Sequence, residues 1–225
     1  MAESHEAYGK IVKEPVMLTL IKAKSRTVGV MMNAFLLFVH ILGGIGLFIG
    51  GMCELVGLRF LLRAKSVEFL RAATALSRLA LVVDPLSSLA VVITGLYFVI
   101  TAWGWSVAWI NVALVSFALI TLLAPALQGR RFLAIQRAVA RTPDGPVPAD
   151  LRRLIQDPVL RVSVQSVLPL ATGLLALMVL KPMLVEAILI MGIALLLGIA
   201  SALPNWGNTP HPLQTSASST GNTLG

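Results

Sequence analysis

His40 is the residue whose type and position first invite chemistry. It stands about twelve residues into a run that begins near Val28 and carries no charge until Glu54, and a polar ring that deep in an apolar helix marks a place to look for function. Gly43 and Gly44 follow three and four positions on, on the same helical face. Gly46, Gly50 and Gly51 extend the strip, and Gly46 with Gly50 forms a G-x-x-x-G. One reading is close helix packing, in which the glycines admit a neighbouring helix and His40 donates it a hydrogen bond. The sharper one is an axial ligand, because a neutral imidazole binds iron well and the missing side chains leave room for a flat macrocycle. Small residues serve packing more often than cofactors, so packing leads.

The remaining intramembrane ionisable residues are few. Lys181 and Pro182 stand in LALMVLKPMLVEA, where a lysine can snorkel to the interface in a tight outer turn and pair with Glu186 across the proline. Its functional alternative is contact with an anionic group, a porphyrin propionate or a lipid phosphate. Asp84 precedes Pro85 and reads mainly as a helix cap or a partner for a loop arginine, with a proton relay as the other use. Asn111, Ser116, Thr121, Gln165, Ser166 and Thr172 read as interhelical hydrogen-bond partners, and Pro169 as a kink. Met31, Met32, Met52, Met178, Met183 and Met191, with Cys53, raise copper handling, since soft thioethers suit Cu(I). Methionine is also ordinary core filler. One cysteine excludes an intramolecular disulfide. Neither a Gly-rich phosphate loop, H-E-x-x-H, G-x-S-x-G nor a carboxylate pair at helical spacing occurs. No catalytic residue is assigned, and an enzyme is the less favoured reading.

The elements that must position these residues are membrane helices. The chain has 225 residues, 57% hydrophobic and 12% charged, against roughly 25% charged in soluble domains. A bilayer core about 30 Å thick takes about 20 apolar residues of helix, and five runs qualify: 28–53, 79–103, 105–128, 162–180 and 183–203. The fold class is therefore all-α, a polytopic transmembrane helical bundle of five spans over residues 28–203. The net charge of +8 lacks the aromatic-interleaved basic runs of a nucleic-acid binder and instead sorts by loop. Arg59, Arg63, Lys65, Arg71 and Arg78 lie between spans one and two. Arg130, Arg131, Arg137, Arg141, Arg152, Arg153 and Arg161 lie between spans three and four. By the positive-inside rule both connections are cytoplasmic, while Trp103, Trp105 and Trp109 mark an outer interface. This places the N-terminus outside and the C-terminus inside the cell, against the opposing pull of Lys10, Lys13, Lys22, Lys24 and Arg26.

Residues 1–27 form an N-terminal extension without a signal-peptide pattern, and the Pro15 to Leu20 patch is suited to the membrane surface. Residues 204–225, rich in Ser, Thr, Gly and Asn and without charge, are expected to be a disordered polar tail. Between spans three and four, TPDGPVPADLRR predicts a turn at Asp144 and Gly145, then a short helix capped by Asp150 and running to the break at Asp157 and Pro158. No internal repeat or inverted pair of halves is present.

The segment LLFVHILGGIGLFIGG resembles the His-x-x-Gly…Gly-Gly first helix of a bacterial family of predicted integral membrane proteins of unknown function, distantly related to the copper-resistance D group. LLALMVLKP is similar to that family's closing Met-x-x-Lys-Pro, and GRRFLAIQRA to its arginine-rich connection. The resemblance covers roughly Asn33 to Pro182; Phe48 stands where the family usually has Trp. It implies a four-helix core to which this chain adds its extension, fifth helix and tail. The wider set includes the HemJ-type protoporphyrinogen oxidases, which use a first-helix histidine and a lysine for haem. By that resemblance His40 and Lys181 are candidate contacts for haem b or a porphyrin, although Lys181 closes the fourth span and does not match the lysine by position.

Three functions follow as expectations, the copper handling raised by the methionines and Cys53 being the third. The first is a non-enzymatic structural or accessory subunit, in a homo-oligomer or a larger membrane complex, with the lipid bilayer as its medium and no nucleic acid. The second is a haem- or porphyrin-binding redox protein with His40 as axial ligand.

Overall fold

A computed structural model of the chain describes the backbone of residues 2–203 and the side chains of residues 24–203 other than Leu76. The expected polar tail, including His211, and the side chains of the Pro15 to Leu20 patch lie outside what it describes. The described chain is all helix: α1 (Ala2–Arg63), α2 (Val67–Phe98), α3 (Ala108–Ala124), α4 (Arg130–Arg141), α5 (Ala149–Ile155), α6 (Pro158–Leu180) and α7 (Leu184–Ala202). Five helical runs are long and apolar enough to cross a membrane. The protein is a membrane-embedded helical bundle.

Several helices are longer than their apolar runs. α1 continues past Glu54 to Arg63 and α2 starts at Val67, where Ser66 Oγ accepts from the Phe69 amide at 3.4 Å as its N-cap. Asp84 therefore lies in the interior of α2. It does not cap that helix, and it makes no ion pair with an arginine among the described residues. The added lengths enclose a second hydrophobic core at the arginine-rich end. Leu58, Leu61, Val67 and Leu70 of the α1–α2 hairpin meet Phe132, Ile135 and Val139 of α4, Leu151 and Ile155 of α5, and Leu160 and Val164 of α6. The α4 positions recur at three and four residues, so one face is apolar while Arg130, Arg137 and Arg141 stay exposed. The loop that follows is tied back onto α2. Val67 N donates to Gly145 O at 2.9 Å, Arg71 Nη2 to Thr142 O at 2.7 Å, and Arg71 pairs with Asp144.

α5 matches the short helix expected before the break, but Pro148, with its extended backbone, is the N-cap, and Asp150 sits inside the first turn. The Asp157 carboxylate starts α6, accepting from the Val159 and Leu160 amides at 2.8 and 3.2 Å while Arg131 Nε donates to its other oxygen at 2.9 Å. Two π-helical turns interrupt the regular ladder. One, Val99–Trp103, closes with Gly104 N to Val99 O at 2.8 Å, and Gly104 at φ +76° then turns the chain toward α3. The other, Pro125–Gly129, falls where proline supplies no N–H.

α1 packs along α2, and α6 packs against α1, α3 and α7. The α6–α7 crossing is close because a Cβ added at Gly173 would come within 2.9 Å of Ala194 Cβ, and one at Gly198 within 2.6 Å of Ser166 Cα. The hydroxyls expected to bridge helices mostly bond within their own helix: Thr121 to Phe117 O, Thr172 to Leu168 O and Ser166 to Val162 O, at 2.8–2.9 Å. A carbonyl four residues back is always within reach of a Ser or Thr hydroxyl, which removes the need for a neighbour. Asn111 likewise donates to Trp105 O at 2.9 Å, in its own connection, and Gln165 alone of the six makes an interhelical bond, accepting from Ser201 at 3.4 Å.

Candidate functional site

The antiparallel α1–α2 pair sets a register that explains the glycine strip. A Cβ on Gly43 would lie 2.9 Å from Val91 Cγ2 and 3.1 Å from the Ser87 carbonyl. One turn further along α1, a Cβ on Gly46 would strike the Ser87 hydroxyl, and one turn beyond that, a Cβ on Gly50 would strike the Asp84 carboxylate. Gly51 faces α6, with Val167 and Leu168 3.1 and 3.2 Å from its Cβ position. Gly44 has nothing within 4 Å and takes no part. The strip is a groove on α1 into which α2 lays Asp84, Ser87 and Val91.

His40 sits at the outer end of that groove. Its Nδ1 is 2.9 Å from Thr94 Oγ1, and Thr94 Oγ1 in turn donates to Ala90 O at 2.6 Å. A hydroxyl already donating to a carbonyl offers its lone pair to the ring, so Nδ1 carries the proton and Nε2 holds the lone pair. The ring occupies the notch over Gly95, whose Cβ position is 3.3 Å from His40 Cε1, and Phe98 meets it edge-on at 6.4 Å between centroids. Further out, Tyr97 donates to Asn33 at 2.9 Å. Each turn of this part of the hairpin thus carries either a small-residue contact or a polar one.

Lys181 belongs to a different place. It ends α6 in the left-handed conformation, φ 49°, and its Nζ lies 4.6 Å from the Trp103 ring centroid; Trp103 in turn stacks edge-on with Trp109. The lysine, two tryptophans and the start of α3 gather at the end of the bundle opposite the arginines, and the cation sits on an aromatic face. Trp103 ends the π-helical turn that follows α2, eight residues beyond Gly95 and about 12 Å along the axis, so Lys181 does not share the His40 notch. Glu186 does not pair with Lys181 either. Its carboxylate accepts from the Met183 amide at 3.1 Å and begins α7, because an acid at the third position of a helix is well placed to satisfy a free N-terminal amide.

Two acids meet where none was expected to. Glu54 lies one turn along α1 from Gly50, within charge–charge range of Asp84, and Asp84 Oδ1 is buried with no hydrogen-bond partner. Ser77, two turns earlier on α2 and 2% exposed, also has an unpartnered hydroxyl. Their separation by thirty residues hid the Glu54–Asp84 pair from any local spacing rule. The one available signal was that both follow the glycine register.

Among the described residues, no group of three or more His, Cys, Asp or Glu side chains could hold a metal ion. Met191 is buried against Gly173, while Met31, Met32, Met52 and Met183 are exposed, so the methionines are dispersed over the bundle. A groove of about 1010 Å³ runs between α3, α6 and α7 and has neither His40 nor Lys181 in its walls. No protein-family model, curated protein or solved structure matches the chain.

Proposed function

We propose that the protein is a non-enzymatic multi-pass subunit of a bacterial inner-membrane assembly, structural or accessory, with its arginine-rich connections and C-terminus in the cytoplasm. The observation that carries this reading is the use to which His40 is put. Its Nδ1 is spent on Thr94 and its ring fills the Gly95 notch, an arrangement that fastens α1 to α2. The apolar outer face of α1, with Phe35, Phe38, Ile41, Leu42 and Ile45 exposed, supplies a surface for lipid, for a second copy or for another subunit.

A second reading, a haem- or porphyrin-binding redox protein, is favoured by one feature. The tautomer that the Thr94 hydroxyl imposes leaves the Nε2 lone pair free, which is how metal-bound histidines are oriented. Lys181, held over Trp103, would not be part of that site, contrary to what the family resemblance implies. Copper handling has the weakest support, given the scattered methionines. A visible absorption spectrum of the detergent-purified protein separates the readings. The subunit reading expects a colourless preparation at full stoichiometry, whereas a Soret band lost in His40→Ala would establish the haem reading in its place.

A further inference from the structure

The groove between α3, α6 and α7 has the shape and polarity of a lipid site. Its volume of about 1010 Å³ is at the upper end of the range of about 300–1,000 Å³ usual for small-molecule pockets. Its wall along α3 and the π-helical turn after it extends from Asn111 to Gln128, about 25 Å of helix rise, so it suits a long chain better than a compact ligand. The walls are almost wholly hydrocarbon until the arginine-rich end. There Gln128, only 3% exposed, lines the groove with its Nε2 buried and unpartnered. It lies within the π-helical turn that Pro125 opens, and such turns concentrate at functional places in helices. Arg130 follows two residues later, exposed and without an ion pair among the described residues.

We infer that this groove binds an anionic phospholipid from the leaflet on the arginine side, its acyl chain along the apolar walls and its headgroup oxygens beside Gln128 and Arg130. The charge complementarity selects the occupant: a buried amide donor and a neighbouring cation without an acid partner are costly beside bare hydrocarbon and favourable beside a phosphodiester. Residues 204–225 are a poor alternative, since their few apolar side chains are separated by Ser, Thr, Asn and Gly.

The test is lipid retention by the full-length protein in mild detergent, titrated with dioleoylphosphatidylglycerol or dioleoylphosphatidylcholine and counted by native mass spectrometry. One phosphatidylglycerol per chain is expected to be held where phosphatidylcholine is lost, with the preference falling about fivefold for Arg130→Gln. Gly192 lines the groove and has nothing within 4 Å of its Cβ position. Gly192→Phe therefore obstructs the groove and abolishes phosphatidylglycerol retention while helicity by circular dichroism is unchanged. Gln128→Leu, which preserves side-chain bulk, reduces phosphatidylglycerol retention even if the phenylalanine variant fails to fold. Equal retention of the two lipids, or retention untouched by both Gly192→Phe and Gln128→Leu, overturns the proposal. So does a Gly192→Phe protein that changes its oligomeric mass but not its lipid count, because a second copy would then be the occupant.

Discussion

At the scale of single residues, two adjacent glycines make opposite demands. Gly43→Ala places a methyl group against Val91 and the Ser87 carbonyl, and overpacking of that kind costs about 1–3 kcal/mol. Gly44→Ala meets open space and gains up to about 1 kcal/mol of helix propensity. Unfolding in sodium dodecyl sulfate followed by circular dichroism should lower the midpoint for Gly43→Ala and hold or raise it for Gly44→Ala; equal effects would contradict the register. Asp84→Asn, which keeps the shape and removes a buried charge near Glu54 while leaving its oxygen unpartnered, should raise the midpoint, because a buried charge costs more than a buried neutral amide. The strip around His40 was legible because glycines at helical spacing have few uses inside a membrane. Which member of a glycine pair faces the neighbour was not, since that depends on α2. The meeting of Glu54 with Asp84 was hidden for the same reason, as were Gly173 and Gly198, which matter only once α6 and α7 cross.

At the scale of elements, the apolar runs located all five spanning helices, yet α1 and α2 run well past their apolar limits toward the arginines. For α1 the excess apolar length already allowed a helix continuing through Arg59 and Arg63, but hydropathy sets no end to either helix there, because the buried Leu58, Leu61, Val67 and Leu70 alternate with Arg59, Arg63, Lys65 and Arg71 along amphipathic turns. The resulting cap makes its own prediction. Phe132, 3% exposed, packs α4 onto the hairpin, and Phe132→Ala should cost about 3–5 kcal/mol, seen as faster hydrogen exchange across α4 and α5. Arg71→Ala breaks only a solvent-exposed tie to Asp144 and Thr142, worth at most about 1 kcal/mol. Its effect should be confined to quicker proteolysis of the 142–148 loop. Exchange as slow in Phe132→Ala as in the parent would mean that the cap core does not hold α4 in place.

At the scale of the whole molecule, the arginines, the cap and the polar end of the α3–α6–α7 groove share one side, and Lys181 with Trp103 and Trp109 marks the other. The proposed topology has the first side in the cytoplasm. Cysteines introduced at Arg137 and Arg153 should then resist a membrane-impermeant maleimide in intact cells, and one at Ser106, between the tryptophans, should react. The reverse pattern would invert the topology while leaving the packing account standing. That account rests on His40 acting as a fastening between α1 and α2, and its most direct test is a double-mutant cycle of His40→Ala with Thr94→Val read by unfolding in sodium dodecyl sulfate. Each single change should lower the midpoint and the pair should show a coupling of about 0.6 kcal/mol, the average for interhelical hydrogen bonds in a membrane bundle. Strictly additive changes would contradict it, because His40 would then not be spending its polar contact on the neighbouring helix.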